Sequence, residues 1–161
     1  MKNLFILIIS ALIFFSCSRN KNFILEANVG IFYHDIQGND LLNPKTLGYY
    51  PIENMHLFRV VNGVEKEYDI LSWEGVLPSS IHILRIDSLL INNLQKYFLS
   101  VDLDLTTDTV HLRLNSNLTD TLVYNIDRNN GNALLTKFWY NGELCWEKDT
   151  ATIHPLITII K

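Results

Sequence analysis

The sequence predicts an all-β domain: an antiparallel immunoglobulin-like β-sandwich, with a lipocalin-like barrel as the alternative that consecutive hairpins would also build. Three observations predict it. Apolar residues recur with period two along a series of short segments, as they do where a strand has one buried face. Clusters rich in Gly, Asn, Asp and Pro separate these segments at spacings of roughly ten residues. No stretch after the first sixteen residues carries a helical period.

Phe23 to His34 opens the series, with Phe23, Leu25, Ala27, Val29, Ile31 and Tyr33 on one parity. Asp35 to Pro44 contains Gly38-Asn39-Asp40 and Asn43-Pro44 and reads as a loop. Ile52 to Val61 and Val64 to Leu71 flank Asn62-Gly63, the strongest short hairpin signal. Trp73 to Ser80, carrying Gly75 and Pro78, is a loop, and Ile81 to Ile86 a short strand. Asp87 to Asn93 is compatible with turn, helical turn or strand. The cleanest strand follows, where Tyr97, Leu99, Val101, Leu103 and Leu105 form a core face and Phe98, Ser100, Asp102 and Asp104 a wet one.

After Thr106-Thr107-Asp108 turns the chain, Val110, Leu112 and Leu114 point inward while Thr109, His111 and Arg113 point outward, and Thr121 to Ile126 repeats the pattern. Asn129 to Asn132 is a turn, and Ala133 to Tyr140 and Glu143 to Glu147 form a hairpin about Asn141-Gly142. Ala151 to Ile160 is the last strand. Pro155 removes a ladder donor there, which places the segment at a sheet edge or a bulge.

The N-terminus has a different character. Met1-Lys2-Asn3 supplies one positive charge, and Leu4 to Phe15 is an apolar run interrupted only by Ser10. A run of about 12 residues fits a secretion signal, and falls short of the roughly 20 that span a bilayer. Its end, Leu12-Ile13-Phe14-Phe15-Ser16-Cys17, resembles the lipobox of bacterial lipoproteins, in which the Cys receives a diacylglyceryl thioether and the preceding peptide is removed. The resemblance implies lipidation of Cys17 as the first mature residue. Acyl chains hold by about 0.8 kcal/mol per buried methylene, so two or more give stable attachment. The organisation expected is a signal peptide over 1–16, a lipidated tether over 17–22 and one sandwich domain over 23–161.

Loss of residues 1–16 takes Lys2 from the 13 Lys and Arg and nothing from the 17 Asp and Glu, for a net charge of minus five. That balance offers no basic footprint for nucleic acid and no cationic stripe for anionic lipid. With Cys17 acylated, Cys145 is left without a disulfide partner, and its Leu144 and Trp146 neighbours mark it as a small buried hydrophobe rather than a reactive thiol.

Candidate chemistry is sparse. His34, His56, His82, His111 and His154 fall one to a segment, with no metal-ligand spacing between them. His34-Asp35 is the pair to inspect first, its plainer reading being a surface His beside a turn-initiating Asp. Asp102, Asp104 and Asp108 lack the glycine and closing glutamate of a calcium loop and read as a solvated face. No nucleophile elbow, P-loop or His-Glu-x-x-His segment is present, and neither a metal nor any other cofactor is implied. Tyr49-Tyr50-Pro51 and Trp73 fall in loops, where aromatics cap a small core, and Trp139 and Trp146 suit a cross-strand contact.

Asp35-Ile36-Gln37-Gly38-Asn39-Asp40-Leu41-Leu42-Asn43-Pro44 resembles a stretch near the start of many small lipoproteins of the Bacteroidota. The resemblance implies a β-sandwich at the inner or outer membrane and brings no activity. Physically, the loop tucks Leu41 and Leu42 under the sheet. Surface-exposed members of that group carry an acidic signal after the Cys, whereas Ser18-Arg19-Asn20-Lys21 is basic and favours the periplasmic side. Envelope proteins of this kind also carry O-glycans at Asp followed by Ser or Thr and an aliphatic residue, a pattern met at Ser88, Thr109, Thr121 and Thr150. Asp-Thr also suits the exit from a turn into a strand. The function expected is a membrane-anchored, non-catalytic binding or structural module with a protein or glycan ligand. A lipid-anchored enzyme or ligand carrier, its site assembled from separate strands, is the alternative.

Overall fold

The computed structural model describes residues 25–68, 84–129, 132–149 and 155–161. The signal peptide, the Cys17 tether, the loop around Trp73, His82, Thr150 and His154 lie outside the described residues.

Eleven strands form among the described residues: β1 (Leu25–Glu26), β2 (Asn28–His34), β3 (His56–Val61), β4 (Val64–Glu67), β5 (Leu84–Ile91), β6 (Leu94–Asp102), β7 (Thr109–Asn115), β8 (Leu118–Asp127), β9 (Ala133–Tyr140), β10 (Glu143–Glu147) and β11 (Leu156–Ile160). The larger sheet has the order β1-β9-β8-β7-β3-β4, with β10 also on β9, and the smaller sheet the order β11-β2-β6-β5. The two pack face to face as the expected β-sandwich. Neither closes on itself, which removes the barrel alternative. Most pairings are antiparallel, but β1 pairs in parallel with β9 and β11 in parallel with β2.

Three hairpins close on two-residue turns with both central residues in the left-handed region: Asn62-Gly63 (φ 52° and 77°), Asn92-Asn93 (50° and 62°) and Asn141-Gly142 (49° and 85°). That conformation matches the twist of the flanking strands. The segment left open at Asp87 to Asn93 is therefore strand as far as Ile91, followed by a tight turn. Strand β3 begins later than the alternation suggested, because Ile52–Asn54 is a 3-10 turn. β11 begins just after Pro155, as an edge strand.

The core follows the period-two pattern. Val29, Ile31 and Tyr33 of β2, with Leu99 and Val101 of β6, meet Val110, Leu112 and Leu114 of β7 and Leu122 and Tyr124 of β8, all buried. Truncating one of these leucines to Ala removes about 2–5 kcal/mol. Leu41 and Leu42 join the core from the loop after β2.

Three expectations need correction. The second face of β6 is not wet: Ser100 is buried and Phe98 packs on Phe32, with ring centroids 5.7 Å apart. The Asp102, Asp104 and Asp108 face is not solvated throughout, because Asp104 is buried and Asp102 half-buried. Trp139 and Trp146 are not cross-strand partners. A bulge between Leu144 and Trp146 pairs Trp139 with Leu144 and Trp146 with Phe138, which puts the two indoles on opposite faces of the sheet.

Candidate functional site

Ala27 alone separates β1 from β2, so the chain enters at one end of both sheets. β2 runs from there to His34 at the far end, where the loop 35–55, the β5–β6 turn and the C-terminal Lys161 also lie. Among the described residues, the two ends differ in what they expose.

Hydrogen bonding fixes the loop 35–55. Asp35 accepts from the backbone N–H of Gln37 (2.9 Å) and Asn39 (2.8 Å) and from Asn39 Nδ2 (2.7 Å), bonds that hold its carboxyl below the usual range. Gly38, at φ 83°, supplies the left-handed step. Asp40 is buried and accepts from the N–H of Leu42 and of Tyr97, both at 2.9 Å, which ties the loop to β6. Tyr50 stands edge-on to Tyr33, centroids 6.1 Å apart, and so caps the core. With Leu41, Leu42 and Tyr50 turned inward, Ile36, Leu47, Tyr49 and Ile52 are left outside, Leu47 at 98% exposure.

The β5–β6 hairpin adds to this end. Leu89, Leu90, Ile91 and Leu94 around the Asn92-Asn93 turn are all exposed, Leu90 at 73%. The pairing of β2 with β6 stops at Ile31 and Leu99, whereas β5 and β6 stay paired as far as Ile91 and Leu94, so the hairpin tip runs on without β2 beside it. Each such side chain that a partner covers fully gains about 1.5–3 kcal/mol. Aliphatic side chains gathered on projecting loops mark an interaction surface more often than isolated exposed ones do.

Beneath this apolar rim lies a buried polar knot. Asp120 of β8, at 1% exposure, accepts from Tyr140 Oη (2.5 Å), Asn141 Nδ2 (2.8 Å) and Lys161 Nζ (2.6 Å). Tyr33 and Tyr140 are hydrogen-bonded through their hydroxyls at 3.3 Å. Burial pushes both phenols well above their ordinary range, so they stay protonated. At the near end Asp104 accepts from Tyr68 Oη (2.6 Å) and from the N–H and Oγ1 of Thr106 (2.7 and 2.8 Å), with no cation on it among the described residues. Fully satisfied carboxylates of this kind hold structure together.

The outer face of the larger sheet carries two His–Glu pairs. His56 Nδ1 and Glu67, and His111 Nδ1 and Glu65, are each 2.5 Å apart, and the Arg113 guanidinium lies 4.2 Å from the Phe58 ring centre. Among the described residues no three His, Cys, Asp or Glu side chains gather where a metal could be held. His34 and Asp35 do not act together. Asp35 is occupied by its turn, while His34 stacks toward Phe32 (6.4 Å) and its buried Nε2 has no hydrogen-bond partner among the described residues.

Of the four Asp-Ser/Thr positions, Ser88 is exposed on β5, and Thr109 and Thr121 are half-buried on the outer face of the larger sheet. Asp120, before Thr121, is locked in the polar knot. Cys145 is half-buried rather than buried, because it is the extra residue of the β10 bulge. Burial still pushes its thiol up. The apolar rim was not singled out in the sequence, since Leu47, Leu90 and Leu94 look there like core residues. Set against protein-family models, curated proteins and solved structures, the chain matches none of them.

Proposed function

We propose that this chain is a lipid-anchored envelope protein whose sandwich acts as a non-catalytic binding module, held at one end and docking a partner protein at the other. The observation that carries this reading is the gathering of Ile36, Leu47, Ile52, Leu90, Ile91 and Leu94 at the end opposite the point where the chain enters. The lipobox-like Cys17 puts the anchor at the near end. Aliphatic tips suit an apolar protein surface; a glycan is gripped by aromatic faces and hydrogen bonds, and among the described residues of this rim the exposed aromatic is Tyr49. Ser88, Thr109, Thr121 and Thr150 are the glycosylation sites that go with the same envelope address.

Two measurements test it. Fatty-acid labelling tags the wild-type chain and is lost, with membrane fractionation, in Cys17→Ala; unchanged fractionation refutes the anchor. A photo-crosslinking residue at position 90 or 47 in intact cells gives a discrete protein adduct that Ile91→Asp removes, while the same probe at the near-end residue 64 gives none. Equal adducts from both ends, or an adduct to glycan alone, overturn the docking reading.

A further inference from the structure

The edges of the two sheets are not equally guarded. In the larger sheet β4 carries Glu65, Lys66 and Glu67, and β10 is broken by the bulge at Cys145. In the smaller sheet β5 carries Arg85 and Asp87, 2.5 Å apart. β11, Leu156-Ile157-Thr158-Ile159-Ile160, has no charge, no bulge and no proline within it. Native proteins blunt such edges with those devices, because bare edges pair with other strands. The nearest charge, Lys161, is turned inward onto Asp120.

The hydrogen bonds to β2 fix which backbone groups of β11 remain available. Pro155 O accepts from Gly30 N (2.9 Å) and Lys161 N donates to His34 O (2.8 Å), so the odd-numbered residues bond inward. The N–H and C=O groups of Leu156, Thr158 and Ile160 therefore point away from the sheet, and among the described residues no strand takes them. Leu156 leans over Gly30, where a Cβ would lie 2.4 Å from its Cδ2. Ile160 stays 68% exposed.

We infer that β11 pairs antiparallel with β11 of a second copy, about a twofold axis at Thr158, joining two smaller sheets into one. The strand is self-complementary in three respects. Thr158 meets Thr158, and exposed Leu156 meets exposed Ile160 on the outer face. Ile157 meets Ile159 on the core face. The three outward residues are the ones that form hydrogen-bonded pairs in that register, giving about six bonds across the axis. A one-residue slip sets core-facing side chains against outward ones, and a two-residue slip leaves only three paired positions. A single strand pair buries less than the roughly 1,000 Å² of a stable free dimer. Confinement of both copies to one membrane supplies the missing local concentration.

The test is register-specific disulfide formation in the full chain, in membranes, in a Cys145→Ala background. Hydrogen-bonded antiparallel residues have Cα atoms about 5.5 Å apart, within disulfide range. Thr158→Cys forms a dimer at least tenfold faster than the exposed control Val64→Cys. Leu156→Cys and Ile160→Cys react slowly alone and fast when co-expressed, and adding Thr158→Lys to both abolishes that dimer without changing thermal unfolding. Rates for Thr158→Cys equal to the control, fast dimerisation of Leu156→Cys alone, or a mixed disulfide with a different protein only would each overturn the pairing.

Discussion

Each end of the sandwich is closed by one buried carboxylate that ties the two sheets together, and the two do it differently. At the near end Asp104, just past β6 of the smaller sheet, holds Tyr68 of the larger sheet, and its backbone oxygen accepts from Tyr124 at 3.1 Å. Three neutral donors serve the carboxylate there. At the far end Asp120 of the larger sheet holds Lys161, the residue after β11 of the smaller sheet, and an ion pair carries part of the load. Both carboxylates are buried, Asp104 at 4% and Asp120 at 1% exposure, so what separates them is the donor set: hydroxyl and amide donors alone at Asp104, and an ammonium beside a hydroxyl and an amide at Asp120.

The difference predicts a graded response to substitution. Lys161→Met, which strands Asp120 as an uncompensated buried charge, lowers unfolding free energy by about 3–5 kcal/mol, read from urea denaturation of the otherwise intact chain. Asp104→Asn, which keeps the shape and weakens neutral hydrogen bonds, costs about 1–3 kcal/mol in the same assay. Equal losses from the two would show that the cation at the far end adds nothing.

A smaller effect separates Asp102 from both. Burial raises its carboxyl above the ordinary value, with Arg85 opposing and Asp87 adding to the rise. A raised folded-state value means the protonated form fits the fold better. The group therefore favours folding at a pH below its unfolded value and opposes it once the pH has risen through the folded value. Asp102→Asn accordingly raises the melting temperature at pH 7 and leaves it unchanged at pH 3. A gain of the same size at both pH values would point to packing instead.

The smallest effect belongs to the apolar rim. Leu90→Asp and Leu47→Ser change stability by no more than about 0.5 kcal/mol, because neither side chain packs on the core, yet each removes partner adducts at the far end. A loss of several kcal/mol would mean that the rim is core after all.

Much of this architecture was legible in the residues. The Asn62-Gly63 and Asn141-Gly142 turns, the inward Val110, Leu112 and Leu114, and the tucked Leu41 and Leu42 follow from period and turn chemistry. Asn92-Asn93 lacks the Gly that marks the other two hairpin turns, yet Asn also tolerates the positive φ both positions adopt. The bulge at Cys145 inverted the expected side of Trp146, and no local pattern announces a bulge. The burial of Asp104 and Asp120 depends on Tyr68 and Lys161, donors that the topology brings from distant parts of the chain. Nor does the run Leu89-Leu90-Ile91 say which apolar strand residues stay uncovered, so in the residues alone the exposed β5–β6 tip looks like core.

The parallel pairings have a consequence for synthesis. β2, among the first strands made, gains its outer neighbour only when residues 156–160 arrive, and β1 waits for β9. Contacts so distant in sequence are slow to form. While the chain is still emerging, β2 and β6 can pair with each other, but the Gly30 edge stays open and Asp120 lacks its ammonium partner. The native sandwich is therefore completed only once residues 156–161 are available to take their places beside β2 and Asp120. Until then the apolar edge of β2 needs a chaperone or a fast final step to keep it from other chains.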